Sequence, residues 1–194
     1  DAIVIRLFKE EHLYEFAIMG SALVQSLNLK TKPVIGLLNI GSEDFKGNET
    51  IKTAGQLIQK SNLNYAGFVE GDDMFNGKFD VIVTDGFAGN IALKSIEGVA
   101  KVISHFIKKE FTRNIFTKLS ALISLPVMKS FKNKVDPRKY NGASLLGLQG
   151  IVVKSHGGAD SLAFSQAVET AYYEVKNELL EKIDSLIQTE LSNE

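Results

Sequence analysis

Three stretches of the chain carry residue types that can handle an anion. In residues 80–90 the strand formers Val81, Ile82, Val83 and Thr84 run into Asp85-Gly86-Phe87-Ala88-Gly89-Asn90, and an Ala/Leu/Val-rich helical pattern begins at Asn90. Gly86 and Gly89 let the backbone turn sharply and approach a ligand, Asn90 is placed to cap the helix, and the N–H groups of a helix start suit a phosphate or acyl phosphate near Asp85. A structural turn between strand and helix gives the same pattern. In residues 39–49, Lys46 stands beside Gly47 and Asn48 at the start of another helical pattern. It can pair with a phosphate as a point charge, or be an ordinary surface lysine. In the third stretch, Lys154, His156 and Gly157 follow a strand pattern at 151–153. A histidine at a strand's carboxyl end can orient a substrate oxygen or move a proton. Two acidic residues in the turn Glu70-Gly71-Asp72-Asp73 can hold a metal or simply be solvated.

The elements that must position these residues follow from apolar periodicity. Residues 2–5 can form a strand, and Leu13, Phe16, Ala17, Met19, Leu23, Val24 and Leu27 recur at helical spacing over residues 10–29, with Pro33 beyond. Residues 34–38 are nearly all apolar, as in a strand covered on both faces, and a helix is expected from the end of the next loop to about Lys60. Residues 64–69 read as another strand. Residues 91–111 are apolar nearly all round, which predicts a helix buried against more than one partner. Glycines at 142, 147 and 150 predict a hairpin or tight turn before residues 151–153. From Ser161 on, Phe164, Val168, Ala171, Val175, Leu179, Ile183 and Leu186 fall at steps of three and four, predicting one amphipathic rod. Short strands alternating with long helices predict parallel α/β units, whose strand ends would gather the three stretches at one rim. No loop matches GxGxxG or the P-loop pattern, so neither a dinucleotide nor ATP is indicated.

With 194 residues the chain can bury a core of its own, and its 44% hydrophobic and 23% charged content excludes a disordered class. It has no cysteine, which rules out disulfides, thiolate metal sites and a cysteine nucleophile, and fits a reducing cytoplasm. The net charge of −1 hides a strong asymmetry: residues 108–139 hold nine Lys and Arg against two acids, leaving −8 for the remainder. Such a patch calls for one anionic partner surface rather than nucleic acid at large. Within it, Ile115, Phe116, Leu119, Leu122 and Ile123 share one helical face bordered by lysines. That arrangement suits an interfacial membrane helix, and equally a dimer or core helix with a solvated basic side.

Six ordered blocks resemble the PlsX family of acyl-carrier-protein:phosphate acyltransferases: residues 16–20 (Phe-Ala-Ile-Met-Gly), 36–41 with Lys46-Gly47-Asn48-Glu49, Val69-Glu70-Gly71, 85–90 with Lys94, 142–147 (Gly-Ala-Ser-Leu-Leu-Gly) and Lys154-Ser155-His156-Gly157. The resemblance implies transfer of a long-chain acyl group from acyl carrier protein to inorganic phosphate, giving acyl phosphate for phospholipid synthesis. It implies a three-layer α/β/α fold with a largely parallel sheet, related to the isocitrate/isopropylmalate dehydrogenases and phosphotransacetylase. It further implies a homodimer, no metal or other cofactor, a cytoplasmic location and peripheral membrane contact through a helical hairpin at about 111–134. Family members are much longer, so the whole of residues 1–194 looks like the C-terminal part of one such domain, with residues 1–10 departing from the pattern. On these loops we assign Asp85, Lys154 and His156 as catalytic candidates and Asn39, Gly41, Lys46, Asn48, Gly86, Gly89, Asn90 and Gly157 as phosphate or substrate contacts. The alternatives are a lobe that only binds membrane or dimerises, and a phosphotransacetylase-like enzyme acting on a soluble substrate.

Overall fold

The computed structural model describes residues 9–134 and 136–191; the strand expected at 2–5 lies outside them. At the centre is a three-stranded parallel sheet in the order β2–β1–β3, formed by β1 (Ile35–Leu38), β2 (Tyr65–Val69) and β3 (Val81–Val83). Ile35, Gly36 and Leu37 are all buried, as the continuous apolar run requires of a strand covered on both faces. Gly36 is needed for space, since a Cβ there would come within 2.6 Å of the Phe79 ring. Helices α1 (Glu10–Ser26) and α2 (Glu49–Lys60) pack on each other, and α1 packs on β3. Leu13, Ala17, Ile35, Leu37, Ala54, Ile58 and Val83 close the core between them. α1 stops at Ser26, short of the expected Leu29, because the Ser26 hydroxyl donates to the Leu23 carbonyl and Asn28 turns to φ +54°.

Two long helices form a hairpin, α3 (Gly86–Phe111) and α4 (Ile115–Lys134), joined by a short turn. α3 starts four residues before the expected Asn90, because Asp85 provides the cap. The expectation that α3 is buried on several sides fails: α3 has no buried residue, and its main packing is on α4. Its apolar perimeter is left largely exposed, with Leu93, Val99, Val102 and Phe106 all more than half in water. α4 continues through Pro126, and Phe116 and Ile123 are 78% and 76% exposed. Among the described residues no helix is long and apolar enough to cross a membrane.

The expected glycine hairpin is present: β4 (Ala143–Ser144) pairs antiparallel with β5 (Val153–Lys154). This corrects the third parallel unit. The strand is displaced to Val153–Lys154 and belongs to a separate ribbon, because the chain doubles back on its immediate neighbour instead of crossing over a helix. The final rod is also two helices, α5 (Ser161–Lys176) and α6 (Leu179–Leu191), broken where Asn177 ends α5 and Glu178 adopts φ +54°. The predicted stripe splits at that break. Leu179 and Ile183 are buried with Ala22 of α1, whereas Phe164, Val168 and Val175 face outward.

Candidate functional site

β1 and β3 run parallel with Leu37 opposite Val83, so the loop 39–48 and the Asp85 turn leave the sheet at the same rim. The loop is built around Asn39, which is buried. Its Nδ2 donates to the Lys46 carbonyl (3.0 Å) and its Oδ1 accepts from the Ile40 N–H (2.9 Å), while its own N–H donates to Val69 O (2.9 Å). Gly47 lies at φ +91° directly against this amide, where a Cβ would come within 2.3 Å of Asn39 Oδ1. A Cβ at Gly41 would meet the Lys46 side chain at 2.2 Å. The loop therefore requires glycine at 47, where both the positive φ and the Asn39 amide exclude a side chain, while at 41 a side chain would displace the flexible Lys46 and Glu43 chains. The Ser42 N–H donates to Glu70 Oε1 (3.1 Å), tying the loop to the end of β2.

Lys46 Nζ pairs with Glu43 Oε2 at 2.9 Å. The hydrogen bond between them raises the lysine pKa and lowers that of the carboxyl. Both groups sit in water, so an anion can compete for the lysine. Asn48 caps α2 through Oδ1 and the Ile51 N–H (2.9 Å). Asp85 caps α3, its Oδ1 accepting from the N–H groups of Phe87 and Ala88, both at 2.8 Å. Gly89 donates its N–H to the Asp85 carbonyl (3.0 Å), and a Cβ there would lie 2.8 Å from Thr84 Cγ2, so this glycine serves close packing. Asn90 lies within the helix. The first-turn donor with no hydrogen-bond partner among the described residues is the Gly86 N–H, which lies at the helix start with the positive end of its dipole.

The second group of residues sits on the ribbon and the start of α5. His156 is exposed; its Nδ1 accepts from the Gly158 N–H (3.1 Å), and its own N–H donates to Asn141 Oδ1 (2.9 Å). Lys154, at the end of β5, and Gly157 are exposed as well. Asn141 holds the turn to α5, its Nδ2 donating to Ser155 Oγ (2.9 Å) and to the Ala163 carbonyl (2.7 Å). Arg138 straps the preceding 3-10 turn, Pro137–Tyr140, to the same helix. Its guanidinium donates to Asp136 through Nε and Nη2 and to Asp160 through Nη1 (3.0 Å), and Asp160 caps α5 through the Ala163 N–H (2.9 Å). Arg138 holds the Asp136 carboxyl down at about 2, and the Ala163 N–H followed by Arg138 lowers Asp160. Arg138 is held by the two carboxylates of Asp136 and Asp160, which makes it a structural strap. Beneath the ribbon, Glu174 is buried and accepts from the Ser144 hydroxyl; burial raises its pKa.

The structure thus brings Asn39, Gly41, Lys46, Asn48, Asp85, Gly86, Gly89 and Asn90 to one rim, and places Lys154, His156 and Gly157 on a ribbon outside that sheet. The membrane-face candidates Ile115, Phe116, Leu119, Leu122 and Ile123 are all exposed on α4. Two carboxylates of the acidic turn are engaged: Glu70 accepts from the Ser42 N–H, and Asp73 Oδ1 accepts from Asn76 Nδ2 (2.9 Å). Among the described residues no three His, Asp or Glu side chains gather as a metal site would need. Sequence reasoning assigned no role to Asn141, Asp136, Arg138, Asp160, Ser144 or Glu174. Asp160 and Asp136 were findable as caps, the latter just ahead of Pro137; Asn141, Ser144 and Glu174, and the Arg138 link to Asp160, owe their roles to contacts distant in sequence.

Comparison with known proteins agrees with the family resemblance of the sequence. A family model described as fatty acid synthesis protein matches residues 7–182. A phosphate acyltransferase of Methylococcus capsulatus is 56% identical over 173 residues, covering 89% of this chain and 51% of that protein. One of Alkalilimnicola ehrlichii is 53% identical over 182 residues, covering 94% and 53%, and one of Legionella pneumophila 54% identical over 174 residues, covering 89% and 51%. The chain spans about half the length of these curated relatives. With nearly its whole described length matched, the chain belongs to the fatty acid synthesis protein family.

Proposed function

We propose that the chain carries the acyl-transfer chemistry of a phosphate acyltransferase: a phosphate oxygen attacks the thioester carbonyl of a long-chain acyl carrier protein. The C–S bond breaks, the carrier thiolate leaves and takes up a proton, and acyl phosphate forms for phospholipid synthesis. The observation that supports this most is the pairing of the family match with two helix starts and a lysine on one sheet rim. Lys46 released from Glu43, with the Gly86 N–H, would hold the phosphate. Of the glycines in this turn it is Gly86 that offers a backbone donor, because the Gly89 N–H is engaged within the helix. His156 or Lys154 would polarise the acyl carbonyl, and Asp85 would orient the nucleophile's side of the site.

In the same reading the small parallel sheet with helices on it is part of a three-layer α/β/α domain of the isocitrate/isopropylmalate dehydrogenase and phosphotransacetylase type. The chain would work as a homodimer in the cytoplasm. The α3–α4 hairpin, which contains the expected 111–134 segment, would rest on the membrane surface. A lobe that only binds membrane or dimerises is the second reading, favoured by the exposed apolar residues of α3 and α4.

The test is phosphate-dependent release of thiol from palmitoyl-acyl carrier protein by the folded chain. Turnover supports the transferase; none from a folded chain that binds anionic liposomes supports the second reading. Asp85→Asn keeps a good helix cap while removing the charge, and is expected to lower the rate by at least about tenfold.

A further inference from the structure

The ribbon end holds a hydrogen-bond chain that ranks His156 among its possible roles. The Asn141 amide has only one orientation that satisfies its neighbours. Its Oδ1 faces the donating N–H of His156, and its Nδ2 faces the accepting carbonyl of Ala163 and the hydroxyl of Ser155. Ala163 lies in the first turn of α5, so Asn141 fixes the His156 backbone to the rigid start of a helix. The turn is closed again by the Ala159 N–H, which donates to the His156 carbonyl (3.0 Å). In the geometry so fixed, the Gly158 N–H points at His156 Nδ1 from 3.1 Å. A ring nitrogen that accepts from an amide carries no proton, so the neutral imidazole must carry its proton on Nε2. No hydrogen bond among the described residues engages Nε2, and the side chain is exposed.

We propose that Asn141 is a positioning residue that holds His156 as an outward hydrogen-bond donor through Nε2. A donor fixed in this way suits an oxygen that gains negative charge, such as a thioester carbonyl on its way to a tetrahedral oxyanion. It does not suit a general base, because Nε2 already bears a proton and the Nδ1 lone pair is taken by the Gly158 N–H. The role in acyl transfer rests on the function proposed above; the positioning does not.

Three measurements on the full chain separate the two. Nitrogen-15 spectra of the imidazoles, recorded where His156 is neutral, are expected to show its proton on Nε2, and the Gly158 amide is expected to be protected from hydrogen exchange. A proton on Nδ1, or an unprotected Gly158 amide, overturns the proposal without any variant. Asn141→Ala, or the milder Asn141→Ser if the first does not fold, is expected to lose protection at both His156 and Gly158 by about tenfold while the α5 amides hold theirs. Loss at His156 alone overturns the coupling. In turnover, Asn141→Ala is expected to lower kcat about tenfold with KM for the acyl donor within about twofold. A change confined to KM overturns the role of the positioned donor in acyl transfer. A wild-type chain without acyl transfer would overturn the proposed function and leave the spectroscopic result standing.

Discussion

α5 and α6 follow one another with the same apolar rhythm and meet opposite fates. The large apolar side chains of α6 are inward, Leu179 at 2% and Ile183 at 5% exposure, against Ala22 of α1. Those of α5 are outward, Val168 at 55% and Tyr172 at 58%, and its inward face is Ala163, Ala167 and Glu174. Small residues let α5 come close to the ribbon: at Gly142, which lies at φ +115°, a Cβ would stand 2.9 Å from the Ala167 Cα. Periodicity identifies a face; what covers that face is decided by the rest of the assembly.

The contrast can be broken or sharpened by substitution. Leu179→Ala, which empties the contact with α1, is expected to cost about 2–5 kcal/mol in urea unfolding, the largest effect of the set. Ala167→Leu is expected to cost about 1–3 kcal/mol, because α5 has no room on its inward face. A neutral result there would mean that α5 does not sit tightly on the ribbon. Glu174→Gln should act through pH. With its folded pKa raised above the ordinary 4.5, the buried carboxyl imposes no penalty when protonated in both states. Stability is then lost as pH rises through 4.5 toward the folded value. The glutamine variant keeps the acceptor for Ser144 and escapes this loss, so its unfolding midpoint should exceed wild type near pH 7 and converge with it below about pH 4. An advantage that persisted in acid would remove the burial of Glu174 from the explanation. Val168→Ser, on the outer face of α5, is expected to change monomer stability by no more than about 0.5 kcal/mol. A large loss in dilute solution would mean that the outer face is covered after all.

Much of the fold was legible because local signals agreed with one another. The apolar run at residues 34–38, the loop ending in Asn48 and the helix to Lys60 gave β1 and α2 close to their observed limits, since buried strand, cap and amphipathic helix all point the same way there. The start of α3 was misplaced because Asp85 and Asn90 are both good caps, and only the observed pair of N–H groups at Asp85 Oδ1 decides between them. The ribbon was read as a parallel strand because a short apolar run does not say which neighbour it pairs with. In the site, Lys46, Asp85 and His156 were visible as residue types, but Asn141 was not. Its role comes from Ser155, His156 and Ala163, all more than a dozen residues away.

The hairpin and the outer face of α5 also have a calorimetric consequence. Phe116 and Ile123 on the hairpin and Val168 and Tyr172 on α5 are all more than half exposed in the folded chain. Apolar groups that already meet water in the native state add nothing to the surface uncovered on melting. The isolated chain should therefore unfold with a shallower denaturant slope and a smaller heat-capacity step than most 194-residue proteins, and both should rise once a partner covers those faces.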